Sequence, residues 1–304
     1  MIQYRTVGDI AVAIGITESY MLNIAARAGR FYKIFRVKKA SGGTRQLEAP
    51  GRKLKAIQTW ILRSILEPLP VSDRAFGFVR GGNTKKHAAM HASRNYVLIM
   101  DIKDFFPSIR MPAVRNVFSS CVYDPAAVEV LTRLCTYKKR LPQGGVTSPL
   151  LSNLVFRPVD EALQRRCDRA GIRYSRYADD LAFSADNKEL LKGLELEVKL
   201  ILGFHGFRVN TDKTRYLTGK GRMVITGLCV NAGHPTTGRH RKRELRAGLF
   251  NAIVKGDKSV DRARLMGTLA YVRGVEPDYY GVVRQYVRRL QSKWHESGGS
   301  APTP

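Results

Sequence analysis

Arg173-Tyr-Ser-Arg-Tyr177-Ala178-Asp179-Asp180-Leu181-Ala-Phe183-Ser184 reads as two short strands joined by a tight hairpin with adjacent acids at its tip. Upstream, Tyr96-Val-Leu-Ile-Met100 is an unbroken apolar run that ends on Asp101, the pattern of a strand buried on both faces. Helical periodicity predicts helices near residues 112–120, 125–136, 149–170 and 186–205, so the core is mixed α and β, with helices over one face of a small sheet. Taken alone, Asp-Asp is most often a turn. Adjacent half-buried carboxylates stay ionised only beside a cation, however, and hard oxygen ligands suit Mg²⁺ bound through a few carboxylates and substrate phosphates. Two such ions form a clamp for phosphoryl transfer.

Around this centre the 304-residue chain is strongly basic, with 52 Lys and Arg against 25 Asp and Glu and a net charge of +27. Its 44% hydrophobic and 25% charged content is that of an ordinary globular protein, so the excess charge sits on a folded body and points to a polyanionic partner. No window of about 18 apolar residues exists and the N-terminus lacks the layout of a signal peptide, so neither membrane nor export is expected. Cys121, Cys135, Cys167 and Cys229 form no C-x-x-C pair, which predicts four small core residues in a reduced cytoplasm rather than a zinc site. Residues 6–30 read as two short helices with helix-turn-helix-like spacing, better explained as a cap on the next domain. Phe31–Val37, with Gly42-Gly43 beyond it, predicts a basic β-hairpin, and Leu54–Leu66 an amphipathic helix ended by Pro68. Phe207–Thr214 and Arg222–Asn231 read as two strands joined by a Gly-Lys-Gly turn. From Ala232 onward the chain reads as helical, with 14 Lys and Arg against 6 acids, a candidate clamp for nucleic acid.

Three blocks stand in order: Asp101-Ile102-Lys103-Asp104-Phe105-Phe106-Pro-Ser108, Leu141-Pro-Gln143-Gly-Gly-Val-Thr-Ser148-Pro149-Leu-Leu-Ser152-Asn153, and Tyr177-Ala-Asp179-Asp180. On these blocks, across roughly residues 30 to 230, the chain resembles a reverse transcriptase. The resemblance implies an α+β right-hand polymerase with a small antiparallel palm sheet and a helical thumb. It divides the chain into an N-terminal helical cap (1–30), fingers (31–100), palm (101–231, with fingers elements between 110 and 145) and a basic thumb (232–304), whose tail from about residue 297 reads as flexible by its Ser, Gly and Pro composition. It makes Asp101, Asp179 and Asp180 the ligands of two Mg²⁺ ions, with the Ile102 carbonyl as an extra ligand. Lys213 takes the place of the acid that protonates departing pyrophosphate. Arg45 and Lys38 or Lys39 take the places that hold the incoming triphosphate, and Lys103, Asp104, Phe105, Phe106 and Gln143 belong to the nucleotide site. Of the two rings, one is expected to be core and the other, Phe106 by position, the gate beneath the sugar that excludes a 2′-hydroxyl.

Two further segments are similar to the retron branch. Ala75-Phe-Gly-Phe-Val-Arg80-Gly-Gly leads to His87-Ala-Ala-Met-His91, where retron enzymes carry Asn-Ala-x-x-His, and Asn83-Thr-Lys-Lys-His87 offers the Asn-x-x-x-His spacing four residues earlier. Either His87 replaces the Asn or the segment is shifted; a basic helix with solvated histidines is the competing reading. Ile225-Thr226-Gly227 corresponds to a retron Val-Thr-Gly. The resemblance implies that His87, His91, Ile225, Thr226, Gly227, Arg239, Arg241, Lys242 and Arg243 serve RNA binding. It further implies a structured noncoding RNA template, priming from a guanosine 2′-hydroxyl, a branched RNA–DNA product made from deoxynucleoside triphosphates, a bacterial cytoplasmic setting and a separate effector protein in anti-phage defence. Group II intron enzymes normally continue into a maturase region, for which nothing remains after residue 304, and diversity-generating enzymes usually alter the Gln-Gly-x-x-x-Ser-Pro block, which is intact here. A catalytically idle RNA-binding protein on the same scaffold is the alternative from another functional class.

Overall fold

The computed structural model describes residues 6–38, 42–122 and 124–296. Thr6 opens α1 (Val7–Ile14) with a reciprocal capping box to Asp9, Gly15 closes it in the left-handed region, and α2 (Glu18–Ala26) follows under a Thr17 cap. The two helices bury Ile10, Met21 and Ile24 in the main core, against the helix at Pro125–Cys135. A hairpin follows, β1 (Tyr32–Lys38) and β2 (Thr44–Pro50), in which every β1 residue after Tyr32 is exposed, so it stands out from the body. The amphipathic helix appears as α3 (Arg52–Ile61), with Leu54, Ile57 and Ile61 inward, widening into a π-type turn at Leu62–Leu66. Asn83 caps the short α4 (Thr84–Ala89).

β3 (Tyr96–Ile102) is buried from Val97 onward. It runs through position 101, where the sequence reading divides fingers from palm, and the whole strand belongs to one sheet. A short α5 (Phe105–Ser108), not expected from the sequence, is followed by α6 (Met111–Ser119), α7 (Pro125–Cys135) and α8 (Ser148–Arg169), close to their expected bounds. β4 (Arg173–Tyr177) and β5 (Asp180–Ala185) form the expected hairpin, and α9 (Lys188–Phe204) leads to β6 (Val209–Thr218). The sheet order is β4-β5-β3-β6, antiparallel throughout. Alternate side chains of β3 and β5 point to opposite faces. Leu98, Met100, Leu181 and Phe183 join Phe156, Leu163 and Leu194 in the main core. Val97, Ile99 and Ala182 meet Met223, Ile225, Leu228 and Val230 on the other face. Both faces of β3 are therefore apolar because both are covered.

The pair of strands expected after Gly206 needs correction. β6 is a ten-residue sheet strand, but the second segment is only a small hairpin, β7 (Val224–Ile225) with β8 (Leu228–Cys229). Thr226 and Gly227 both adopt positive φ, +43° and +82°, which closes a two-residue turn where an extended strand was expected. The C-terminal helices α10 (Arg239–Ile253), α11 (Arg262–Val275) and α12 (Pro277–Glu296) enclose a separate core of Leu245, Leu249, Val272, Val283 and Leu290. Cys135 and Cys167 are core residues as expected, whereas Cys121 and Cys229 are only half-buried.

Candidate active site

Asp101 and Asp180 are direct cross-strand partners on β3 and β5. Asp179 lies in the turn between β4 and β5, its carbonyl accepting the Ile102 N–H at 2.9 Å, so the fold brings the three predicted acids together. Burial, joined by the charges of Asp179 and Asp101, pushes the Asp180 carboxyl up to about 6, and burial likewise raises Asp179. From β6, Lys213 Nζ donates to Asp101 Oδ2 at 2.9 Å, a bond that raises the ammonium above the usual lysine range. Lys213 and, from β2, Arg45 place positive charge that opposes the rise at Asp179. Lys38 faces Thr44 beside the Val37–Arg45 pair, so its place on the exposed hairpin adjoins that of Arg45; Lys39 lies outside the described residues. No group of three or more His, Cys, Asp or Glu among the described residues is drawn tightly enough together to hold a metal ion. The donor chemistry of Asp101, Asp179 and Asp180 nevertheless suits a hard divalent cation, because all three offer only oxygen and two of them are made hard to ionise by burial and by neighbouring carboxylates.

The turn that carries Asp179 is held from beneath by residues that sequence reasoning did not single out. Arg176 is wholly buried. Its Nη1 donates to the Ala178 carbonyl and to Asn153 Oδ1, both at 3.0 Å, while Nε and Nη2 grip the two Asp160 oxygens at 2.9 and 2.6 Å. Tyr174 donates to the same carboxylate at 2.6 Å, and the guanidinium lies 4.5 Å from the Phe156 ring centroid. Asn153 also donates to the Gly77 carbonyl at 2.9 Å. Gly77 rests directly on the turn: a Cβ there would sit 2.5 Å from the Ala178 nitrogen. The available signal was the period of two in β4, which puts Tyr174 and Arg176 on one face and so asks for a buried acid across from them.

The residues expected at the nucleotide site separate by depth. Phe105 is core, set edge-on to Phe156 and packed near Phe207, whereas Phe106 is half-buried and its ring faces that of Phe78 at 5.9 Å. The Gln143 carbonyl accepts the Glu48 N–H at 2.8 Å, which ties the Gln-Gly block to β2. Beneath that contact the buried Glu48 carboxylate is gripped by Arg140 at 2.5 and 2.9 Å. Lys103 and Asp104 are exposed and line a groove of about 670 Å³ with His205 and Arg208.

His87 and His91 require correction. Both are fully buried, which removes them from direct contact with RNA and also rules out solvated histidines. His91 bridges Ser175 on β4 and Ser184 on β5, at 2.7 and 2.8 Å. His87 Nδ1 lies 3.3 Å from Thr226 Oγ1, its ring is 5.9 Å from that of Tyr177, and its Nε2 has no partner. Burial lowers His87 to about 4 and, joined by the His87 and Arg173 charges, holds His91 well below the usual histidine range. Lys242 is likewise committed inside the protein, bonded to Glu276 at 2.5 Å and 4.1 Å from the Tyr279 ring centroid. Ile225 is buried in the second core. Thr226, Gly227 and Arg241 instead line an open cleft of about 940 Å³, together with Arg264 and Tyr271 of α11. Arg239 and Arg243 are exposed on α10.

Residues 37–252 match the family model described as "Reverse transcriptase (RNA-dependent DNA polymerase)". The chain is 36% identical over 297 residues to the retron Mx65 reverse transcriptase of Myxococcus xanthus, covering 90% of this chain and 69% of that protein. It is 32% identical over 289 residues to the retron Ec86 reverse transcriptase of Escherichia coli, covering 94% and 89% respectively. Among solved structures, apo telomerase from Candida tropicalis superposes with a TM-score of 0.47 at 12% identity, over 70% of this chain and 51% of that one.

Proposed function

This chain belongs to the retron reverse transcriptases and is an RNA-directed DNA polymerase, and from that premise we propose that it copies part of its own structured noncoding RNA, starting at a guanosine 2′-hydroxyl and leaving a branched RNA–DNA product. The observation that carries the catalytic part is the meeting of Asp101, Asp179 and Asp180 at one end of the sheet with Lys213 bonded to the first of them. Asp101, Asp179, Asp180 and the Ile102 carbonyl would hold two Mg²⁺ ions, which when bound supply charge stabilisation at the α-phosphate and at the attacking and leaving oxygens. The protein's own residues do the rest. Lys213 carries a proton at Nζ next to the site and is placed to give it to departing pyrophosphate. Arg45 and Lys38 offer a planar fork and a point charge to the triphosphate. Phe106 supplies a half-buried ring beneath the sugar, and Gln143 lines the same pocket.

In this reading residues 31–100 act as fingers, 101–231 as palm and 232–304 as thumb. Arg239, Arg241 and Arg243 hold the phosphates of the hybrid, while Thr226 and Gly227 meet the structured RNA at the rim of the cleft they share with α11. The setting is the bacterial cytoplasm, and a separate effector protein completes an anti-phage system. Extension of a primed RNA template with Mg²⁺ and deoxynucleotides tests the chemistry: Asp179→Ala with Asp180→Ala should lower incorporation on the order of 10³-fold, and equal incorporation would overturn the assignment. Sequencing of the nucleic acid that copurifies tests the priming. Branched cDNA joined to RNA is expected; linear cDNA free of RNA would count against it.

A further inference from the structure

Phe78 combines two features that are unfavourable in a free protein. Its φ of +62° lies in the left-handed region, which a bulky side chain avoids, and its ring is 42% exposed. Among the described residues its ring meets that of Phe106, with centroids 5.9 Å apart and planes tilted by 45°, a contact that leaves the other ring face open. The conformation is nevertheless imposed from both sides. Before Phe78, the Phe76 N–H donates to the Arg176 carbonyl at 2.8 Å, the Gly77 carbonyl takes the Asn153 amide at 2.9 Å, and Gly77 lies against the Ala178 nitrogen. After it, the Gly82 N–H closes back on the Val79 carbonyl at 3.1 Å, and Gly82 leaves no room for a Cβ against the Phe76 carbonyl. The frame that fixes the catalytic turn thus also fixes this ring, beside the half-buried Phe106 and within one residue of the chain that touches Ala178.

We propose that Phe78 is a specificity-determining residue of the polymerase: with Phe106 it walls the pocket of the incoming deoxynucleoside triphosphate, and its open ring face receives the nucleoside by stacking. The proposal rests on the polymerase reading above. Aromatic faces suit this task because every base presents a π-face to them. A strained backbone residue held in place by its surroundings is the expected form of a preorganised contact.

The test uses the full chain, with Phe78→Gly, Phe78→Ala and Phe78→Tyr measured for kcat and KM of deoxynucleotide on a primed RNA template, and for thermal melting. Gly and Ala should each raise KM about tenfold with kcat within about twofold, the size expected for one lost stacking contact, while Tyr stays near the parent. Gly tolerates positive φ and Ala does not, so Phe78→Gly should melt at or above the parent temperature although its KM has risen, which separates the lost contact from unfolding. A Phe78→Gly variant that keeps the parent KM, or that loses kcat at unchanged KM, overturns the proposal. An Asp179→Asn arm keeps the two claims apart: undiminished incorporation there refutes the polymerase reading, whereas its loss beside an unchanged KM in Phe78→Gly refutes only the role of Phe78.

Discussion

Two hairpins of this protein turn on two residues, and both place a non-glycine residue at positive φ, Ala178 at +57° between β4 and β5 and Thr226 at +43° between β7 and β8. The histidine pair links them: His91 is bonded to both strands of the first, and His87 reaches toward Thr226 of the second. Their support differs sharply. The Ala178-Asp179 turn is fixed by a buried guanidinium, its paired carboxylate, an asparagine and the close approach of Gly77. Among the described residues the Thr226 side chain has one polar contact, 3.3 Å to His87, and Gly227 is open to the cleft. A turn that must present carboxylates to within fractions of an ångström is over-determined; a turn on the wall of an open cleft keeps room to adjust to what enters.

The largest expected effect breaks the first side of that contrast. Asp160→Asn removes the charge that compensates Arg176 and leaves a wholly buried guanidinium unpaired, a loss of about 3–5 kcal/mol. At roughly 2–4 °C per kcal/mol, the melting temperature should fall by about 10 °C, and template-directed incorporation should fall with it as the Ala178 carbonyl loses its anchor. An unchanged melting curve would mean that the first turn is no more firmly held than the second. Thr226→Gly probes the other side and should do far less. It gives up the weak His87 contact but relieves a β-branched residue from positive φ, so the net change stays within about 1 kcal/mol. Extension of a generic primed template should be unaltered, whereas, on the function proposed above, copying of a structured RNA template should weaken. A Thr226→Gly variant that unfolds as readily as Asp160→Asn would erase the distinction.

The first hairpin was also the more legible of the two. Strand-like stretches on either side of Asp179-Asp180 located β4 and β5, and an apolar run ending on Asp101 located β3, whose composition records that it is covered on both faces. The support beneath them was not legible. Asn153 and Asp160 stand two turns apart on α8 and Gly77 lies in a loop far upstream, and only the tertiary fold brings them to Arg176 and its turn. At the second hairpin, Ile225-Thr226-Gly227 looked like part of a strand because nothing in a β-branched pair announces positive φ. His87 and His91 looked polar and therefore outward, yet two serines on the neighbouring strands satisfy His91 well enough to bury it. Lys242 was misjudged for the same reason, since its partner Glu276 lies at the far end of α11.

The smallest effect concerns the electrostatic cost that the first hairpin carries and the second does not. Asp180 titrates at its ordinary value of 3.8 in the unfolded chain and near 6 in the folded protein, chiefly through burial and then through Asp179 and Asp101. Below about pH 4 the carboxyl is protonated in both states and its burial carries no charge penalty. Between about 4 and 6 the unfolded chain releases the proton first, so the folded state loses relative stability as pH rises; above about 6 both states are ionised and the loss is complete. Asp180→Asn has nothing to titrate at this position. In chelator, its melting temperature should therefore draw ahead of the parent by a few degrees between pH 4 and 6 and then hold a constant lead, a modest gap because the carboxylate is only half-buried. Adding Mg²⁺ at pH 7 should stabilise the parent more than the variant and narrow that lead, because the parent alone keeps all three carboxylates. A lead that is flat from pH 4 to 7 would show that the Ala178-Asp179 turn bears no such cost, and would leave mechanical support as the whole difference between the two hairpins.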